Sequence, residues 1–498
     1  MAGHVEIERK YETDHEFTLP DLRDVPGLSN VAAPVRHTLL ARYYDTQDLR
    51  LARHGITLRR RTGGDDDGWH LKLPKTKGER HEISRPAGDP DDDVPAELAE
   101  LVLARTRGAP LTTVAELRTD RTEHALLADD GSVLGQLADD RVTGLRLDRL
   151  GDGVTSWREL EVELVEGSPD LLSDVGDQLV GSGARSSDAP AKLVVVLGDD
   201  AAPAERPERY RTAAETMTTY LHALVERMLS YDPLVRLADH DDDSVHKMRT
   251  SIRRVRSILR THRRLLDRAR TDVLDAELKW LADALGEVRD LEVLQARFHG
   301  QLAAYPDPPG RPGWLKQLAD QESAARDGLR ERLRSARYMA LLQRLDDVLT
   351  DPPVTGDAHR KARKQEREIV ARARRKMIKK YRAAEGLPEG PDRDAALHGT
   401  RKAAKRLRYT ADAAEPVLGK PARRISRRAS KLQDVLGAHQ DRIVAADHLS
   451  GIEDARADGP ADAYALGILI AVQDRTDTLE DLPRTWKRVA DTKLAKKL

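Results

Sequence analysis

Short charged segments in the first part of the chain place carboxylates and cations at strand spacing. Glu6, Glu8 and Lys10 alternate with Val5, Ile7 and Arg9, and Glu159, Glu161 and Glu163 alternate with Leu160 and Val162. Successive side chains of a strand point to opposite faces, so each set shares one face. The same holds for Arg59 with Arg61, His70 with Lys72, and Arg80 with Glu82. Hard divalent ions such as Mg²⁺ take one or two carboxylates plus substrate phosphate oxygens. Arg and Lys donate to phosphate oxygens, Arg often through both arms of its fork. Together these groups describe a triphosphate pocket: ion and cations stabilise charge on a transferring phosphoryl group, and a Glu free of the ion orients the attacking water.

A second kind of chemistry lies downstream. His246, Arg249, Arg253, Arg254 and Arg256 recur 152 residues later as His398, Arg401, Lys405, Arg406 and Arg408. Offsets of 0, 3, 7 and 10 set four of the five on one helical face. Like charges stacked at helical spacing destabilise an isolated helix, so a stripe built twice calls for a polyanion as countercharge. The repeat continues in Leu285-Gly286 and Leu436-Gly437, followed by Asp290 and Asp441, which argues for internal duplication.

The elements that must position these residues differ between the two parts. With 498 residues the chain exceeds one ordinary core. Lys and Arg against Asp and Glu give net −14 over residues 1–200 and net +13 over the remainder, so an overall charge of −1 conceals a polarised chain. The first part reads as short alternating strands, including 5–11, 41–45, 56–61, 69–73, 82–85, 133–138 and 158–165, with helical signals at 95–105 and 169–179. Its charged faces fit either solvent or the interior of a closed barrel around a charged ligand. From about Tyr210 the pattern becomes long amphipathic helices, at 212–229, 245–266, 272–299, 314–334, 357–382, 393–417, 422–449 and 461–475. The domains expected are 1–200, a polar linker at 201–207, and 208–498 in duplicated halves of about 208–350 and 356–498. Zero Cys excludes disulfides and thiolate metal sites. No apolar run reaches the ~18 residues of a membrane span, and a signal-peptide pattern is lacking. A soluble cytoplasmic protein is the expectation, with no membrane partner and with association to polyphosphate granules as a corollary of polymer binding.

Glu6-Ile7-Glu8-Arg9-Lys10 resembles the ExExK signature of CYTH domains, members of the triphosphate tunnel metalloenzyme superfamily. Later elements follow in that family's order: Leu58-Arg59-Arg60-Arg61, Leu71-Lys72-Leu73, Thr119-Asp120-Arg121, Asp139-Asp140, Glu159 to Glu163, and Ala191-Lys192-Leu193. The resemblance covers roughly residues 1–200 and implies an eight-stranded antiparallel tunnel. It implies that Glu6, Glu8, Glu161 and Glu163 handle the metal and, with Lys10, the catalysis. Lys10, Arg59, Arg61, Lys72, Arg121 and Lys192 would hold the triphosphate, with Arg80 as a further substrate contact. Glu159, Asp139 and Asp140 extend the metal set, and the pleat does not fix which Asp of the pair faces inward. The family includes adenylate cyclases, thiamine triphosphatases and inorganic triphosphatases, so the fold leaves the substrate open.

The His-x-x-Arg-x-x-x-basic-basic-x-Arg pattern, found twice, resembles the CHAD domain over about residues 208–498. That resemblance implies two four-helix bundles related by a pseudo-twofold axis, and binding to inorganic polyphosphate. A linear polyanion without bases or apolar groups offers only charge and oxygen acceptors, so its receptor needs many donors. Besides the two stripes, the candidates are Arg260, Arg289 and Lys402, then Arg424, Arg428, Lys431 and His439. His246 and His398 are expected half-protonated near neutrality. The basic run 360–382 reads as a solvated helix face. Nucleic acid is the rival ligand for a basic helical module, but stacking aromatics are scarce, with only Tyr409 beside a stripe. The expectation is therefore an α+β multidomain chain, an antiparallel tunnel followed by an all-α unit. Its function would be Mg²⁺- or Mn²⁺-dependent hydrolysis of inorganic triphosphate or short polyphosphate, joined to polyphosphate binding. Homo-oligomer formation is compatible with this. The alternatives are a non-catalytic polyphosphate scaffold and an enzyme acting on thiamine triphosphate or ATP.

Overall fold

The computed structural model describes residues 3–64, 67–76, 79–89, 93–147, 153–187, 189, 191–202, 210–237, 243–306, 312–454, 459–475 and 478–491. The chain divides into two compact units, one of residues 1–205 and 236–240, the other of 206–235 and 241–498. Residues 203–207 of the expected linker lie outside the described residues.

The first unit is an antiparallel barrel. Its strands are β1 (Gly3–Thr13), β2 (Asn30–Val31), β3 (Val35–Asp45), β4 (Thr57–Thr62), β5 (Gly68–Thr76), β6 (Glu79–Arg85), β7 (Thr112–Leu127), β8 (Val133–Arg146), β9 (Val154–Leu164) and β10 (Arg185–Ser186). Eight of them follow the order β1-β6-β5-β4-β3-β7-β8-β9, and β1 pairs with β9 to close the ring. The short β2 and β10 add to β7 and β1. Closure removes every free edge from the eight-strand ring.

Alternation decides what each face does. Leu58 and Arg60 of β4 turn outward and are buried, and Arg60 donates to the carbonyls of Ala87 and Gly88. Arg59 and Arg61 turn into the lumen. Helices α1 (Ala96–Leu101) and α2 (Leu103–Thr106) precede β7, and α3 (Pro169–Gly181) follows β9. Leu172, Val175 and Leu179 of α3 form one core with Leu137, Leu160 and Val162 on the outer faces of β8 and β9. Each fully buried aliphatic side chain contributes about 1.5–3 kcal/mol. The last helix of the unit, α4 (Lys192–Leu197), packs Leu193, Val196 and Leu197 against Ala41, Tyr43 and Leu117. Those three strand residues also line the lumen, so α4 packs hydrocarbon directly against the lumen wall.

The second unit is all helical. Five helices, α5 (Ala213–Arg236), α6 (Ser244–Thr261), α7 (Arg268–Leu302), α8 (Gly313–Arg334) and α9 (Ala336–Thr350), are followed in the same order by α10 (Ala362–Glu385), α11 (Pro391–Leu418), α12 (Lys420–Asp454), α13 (Pro460–Arg475) and α14 (Leu482–Ala490). The duplication extends to atomic packing. A Cβ on Gly286 would lie 3.0 Å from the Arg249 guanidinium, and one on Gly437 would lie 3.4 Å from that of Arg401. In both halves the first arginine of the stripe therefore lies flat over the glycine of the next helix. Leu294, Phe298 and Trp314 from α7 and α8 share a core with Leu449, Leu466 and Leu469 from α12 and α13, joining the halves through equivalent helices.

Candidate functional site

The barrel encloses a cavity of about 390 Å³ lined chiefly by charged groups. All seven cations expected to hold a phosphate chain, Lys10, Arg59, Arg61, Lys72, Arg80, Arg121 and Lys192, line it. Glu8, Glu161 and Glu163 do so as well. The side chain of Glu6 lies outside the described residues. The strand pairs explain the convergence. Where β1 meets β9, Glu8 stands directly opposite Glu163 and Lys10 opposite Glu161, and side chains so paired lie about 5 Å apart at Cβ.

One wall is a network of acids bridged by lysine. Lys10 Nζ contacts Glu161 and lies 3.3 Å from Glu8. Lys192 Nζ, at the first residue of α4, lies 2.9 Å from Asp140, 2.6 Å from Glu159 and 2.8 Å from Glu161. Arg121 clamps Asp140 through Nε at 2.8 Å and Nη2 at 2.7 Å, and reaches Glu161 at 2.9 Å. Burial opposes the charges of Lys10, Arg121, Asp140, Glu161 and Lys192, yet the opposite charges nearby outweigh it. The fields of Lys10 and Lys192 hold Glu161 well below the usual carboxylate range. Asp140 is lowered by Lys192 and Arg121, while Asp140 and Glu161 hold Lys192 well above an ordinary lysine. These shifts favour the charged forms of Asp140, Glu161 and Lys192.

The opposite wall has an excess of positive charge. Burial, with Arg59 and Arg121 close by, pushes the Arg61 guanidinium down to about 9. His70 Nδ1 lies 2.7 Å and Lys72 Nζ 3.3 Å from Glu82. Burial lowers His70 despite that carboxylate. An anion placed between the walls would meet the guanidinium and ammonium groups of Arg59, Arg61, Lys72 and Arg80 on one side and lysine-bridged acids on the other.

Of the Asp pair, Asp140 faces the lumen and is fully buried. Asp139 does not belong to the metal set, because its side chain points the other way and forms a two-armed pair with Arg158 at 2.9 and 2.8 Å. Arg158 also donates to the carbonyls of His15 and Phe17, so this pair pins the crossing after β1. The lumen includes His37, Tyr43, Thr119, Glu123 and Gln136, which sequence reasoning did not assign. On β7 a period-two signal was present in Thr119, Arg121 and Glu123, but charged Arg118 and Asp120 on the other face masked it.

An all-oxygen donor set suits a hard divalent ion. The tightest acidic cluster, Asp140, Glu159 and Glu161, has oxygens within 4.8 Å of one another, but the Lys192 ammonium already sits against all three. Glu8 and Glu163 stand directly opposite each other where β1 meets β9 and both line the lumen with the adjoining Glu161, so their carboxylate oxygens fit such an ion as well.

In the helical unit the two stripes meet. Arg253 and Lys405, equivalent positions of the duplication, lie in each other's field together with Arg249 and Arg401. Arg249 is oriented by Asp290 at 2.9 Å. Lys405 is 8% exposed, and burial followed by Arg253 and Arg401 pushes it down to about 6. His246 and His398 depart from expectation: burial, then Arg289 and Lys402 respectively, lowers both imidazoles, which favours their neutral forms. Other stripe residues turn elsewhere. Arg256 and Arg260 share Asp275 at 3.0 and 2.7 Å, Arg289 binds Glu292 at 2.9 Å, and Arg408 reaches Gln433 at 3.5 Å. Arg254 lies over the Tyr409 ring, 5.2 Å from its centre. Lys402, Arg424 and Lys431 are exposed, while Arg428 donates to the Arg488 carbonyl at 2.5 Å. His439 is not a ligand donor, because it is buried with Nε2 2.7 Å from Asp394 and Nδ1 3.1 Å from Thr478.

Comparison with known proteins divides the chain in the same way. The CYTH domain family matches residues 4–187 and the CHAD domain family matches residues 219–450. The uncharacterized proteins Rv2226 and MT2285 from two strains of Mycobacterium tuberculosis are each 34% identical over 496 residues, covering 94% of this chain and 92% of the relative. Among solved structures, PptA from Streptomyces chartreusis aligns at 22% identity and TM-score 0.43 over 56% of this chain and 99% of its own. The CHAD domain from the plant Ricinus communis aligns at 24% identity and TM-score 0.46, covering 58% and 96%. An adenylyl-cyclase-type protein from Hippeastrum, described as having a dominant triphosphatase activity, aligns at 20% identity and TM-score 0.26, covering 41% and 100%.

Proposed function

The chain belongs to the CYTH family through its barrel and to the CHAD family through its helices, and from that premise we propose that the barrel hydrolyses inorganic triphosphate or short polyphosphate while the helical unit binds inorganic polyphosphate. The observation that carries the hydrolase half is the lumen itself, where seven Lys and Arg side chains and the carboxylates of Glu8, Glu161 and Glu163 line one cavity. CYTH proteins are triphosphatases and cyclases, generally metal-dependent. Glu8, Glu161 and Glu163 would hold Mg²⁺ or Mn²⁺, which would supply charge neutralisation at phosphate oxygens.

The protein's own groups do the rest. Arg59, Arg61, Lys72 and Arg80 bind the chain of phosphates along the cationic wall, and their forks fix its register. Arg121 and Lys192, locked by Asp140, hold the far side and place positive charge where the leaving diphosphate accumulates negative charge. Water attacks the terminal phosphorus, the bridging P–O bond breaks, and phosphate and diphosphate leave. A lumen carboxylate accepts a hydrogen bond from that water and takes its proton. Inorganic substrates are favoured because half of the described lining residues are charged and none is Phe or Trp, with Tyr43, His37 and His70 the rings among them.

Phosphate release from triphosphate, long-chain polyphosphate, thiamine triphosphate and ATP, each with Mg²⁺ and with EDTA, tests this. The expected result is Mg²⁺-dependent release with inorganic triphosphate as the best substrate. Release unaffected by EDTA would exclude the metal, and ATP as the best substrate would favour the organic-triphosphate alternative. For the helical unit the carrying observation is the central cluster of Arg249, Arg253, Arg401 and Lys405, cations crowded together without enough counter-anion. Charge reversal at Arg253 and Lys405 is expected to weaken polymer binding; unchanged affinity would make the stripes structural.

A further inference from the structure

Successive helix positions point about 100° apart. The residues that follow Arg253 and Lys405, Arg254 and Arg406, therefore leave the central cluster, and each enters a separate lateral pocket. The two pockets are copies. Tyr220, Ala223, Leu224 and Arg227 of α5 line one, and Ile369, Arg372, Ala373 and Lys376 of α10, each 149 residues later, line the other. The α5 pocket is completed by α11 and α12, and the α10 pocket by α6, α7 and α11.

Their charges have diverged. In the α5 pocket Arg423 is neutralised by Glu415 at 2.6 Å, and Asp412 lies 4.0 Å from Arg254. The positions 152 residues earlier than Asp412 and Glu415 are Arg260 and Arg263, both lining the α10 pocket. There Asp275 binds Arg260 and Asp272 binds Arg268. Among the described residues, Arg263, Arg264, Arg372, Lys376 and Arg406 have no carboxylate within ion-pair distance. Five cations without an ion pair thus surround a cavity of about 410 Å³, with the Glu368 carboxylate near Arg372 the one described acid whose field offsets that crowding. Burial followed by Arg264 lowers Arg372, and burial followed by Arg260 lowers Arg406, as crowding of like charge requires. The walls carry no aromatic ring for a base to stack on.

We propose that the pocket between α6–α7 and α10–α11 is a second anion site, separate from the central cluster, that takes a compact condensed phosphate of triphosphate size, and that its symmetry mate beside α5 does not. This rests on the reading that the helical unit binds condensed phosphate. It also gives a function to the basic face of α10.

The test uses the full-length chain with Arg59→Glu to disable the tunnel, in EDTA, titrated with inorganic triphosphate by calorimetry. Lys376→Glu and Arg227→Glu are matched reversals at equivalent positions. The expected result is about one triphosphate bound, weakened about tenfold or more by Lys376→Glu and changed less than about twofold by Arg227→Glu. Equal losses, or no loss with Lys376→Glu, would overturn the assignment. Triphosphate is also expected to slow amide exchange within 259–275 and 369–376 in the chain without either reversal, and protection confined to 249–253 and 401–405 would contradict it. Long-chain polyphosphate titrated into the same proteins separates the two ideas. If the polymer fails to bind any of them, the polyphosphate reading itself fails; if it binds while triphosphate ignores Lys376→Glu, only the lateral site fails.

Discussion

Glu161 is contacted by Lys10, Lys192 and Arg121 at once, so its carboxylate sets the geometry of the acidic wall. Glu161→Gln keeps the shape and removes the charge, and is expected to lower Mg²⁺-dependent phosphate release by at least about 100-fold, read as kcat under saturating triphosphate. In the helical unit the sensitive residue is Lys405, which faces Arg249, Arg253, Arg401 and Asp441. With its ammonium pushed down to about 6, Lys405 is mostly neutral at pH 8 in the free protein. A bound polyanion restores the charge, so binding takes up a proton above pH 6 and affinity falls as pH rises, by up to about tenfold per unit. Polyphosphate titrations from pH 6 to 9 should show this slope, and Lys405→Arg should flatten it because arginine stays charged. The two stripe histidines were legible as residues but not as titrating groups, since the depression of their pKa comes from burial and from cations that only the fold brings near.

At the scale of elements, period-two alternation revealed which strand residues share a face, and that gathered Lys10, Arg59, Arg61, Lys72 and Arg80, while Arg121 came from the family resemblance. It could not choose between Asp139 and Asp140. Adjacent residues necessarily face opposite sides, and the choice depends on the register of β8 against β7 and β9, with Asp140 opposite Arg121 and Glu159. Helices α9 and α14 were not anticipated, because they are short and bury their apolar faces only against the other helices of the unit. Lys192 was read from a motif, yet its contacts with Asp140, Glu159 and Glu161 depend on α4 packing against the barrel, which is tertiary. The turn after β3 illustrates how an element is held. Buried Asp45 accepts from the amides of Thr46, Leu51 and Ala52 at 2.7, 2.9 and 2.9 Å. Asp45→Ala leaves three buried donors unmatched and is expected to destabilise the barrel by about 2–4 kcal/mol, measured as a lowered urea midpoint. A midpoint unchanged within error would mean that water replaces the carboxylate.

For the whole molecule, the two sequence parts carry net charges of −14 and +13, and on the proposed reading each handles condensed phosphate in its own way. The barrel encloses cations and acids paired within one lumen, whereas the helical unit crowds Arg249, Arg253, Arg401 and Lys405 together. Salt therefore separates them: raising ionic strength from 50 to 200 mM should weaken polymer binding steeply, through release of condensed counterions, and affect kcat for triphosphate much less. The most direct measurement is a paired assay on one preparation, scoring phosphate release from Mg²⁺-triphosphate and affinity for long-chain polyphosphate in the wild type, Glu161→Gln and Arg253→Glu/Lys405→Glu. Loss of release alone in the first variant and loss of polymer affinity alone in the second is the predicted result. Full release by the Glu161→Gln protein would contradict a lumen built for triphosphate hydrolysis.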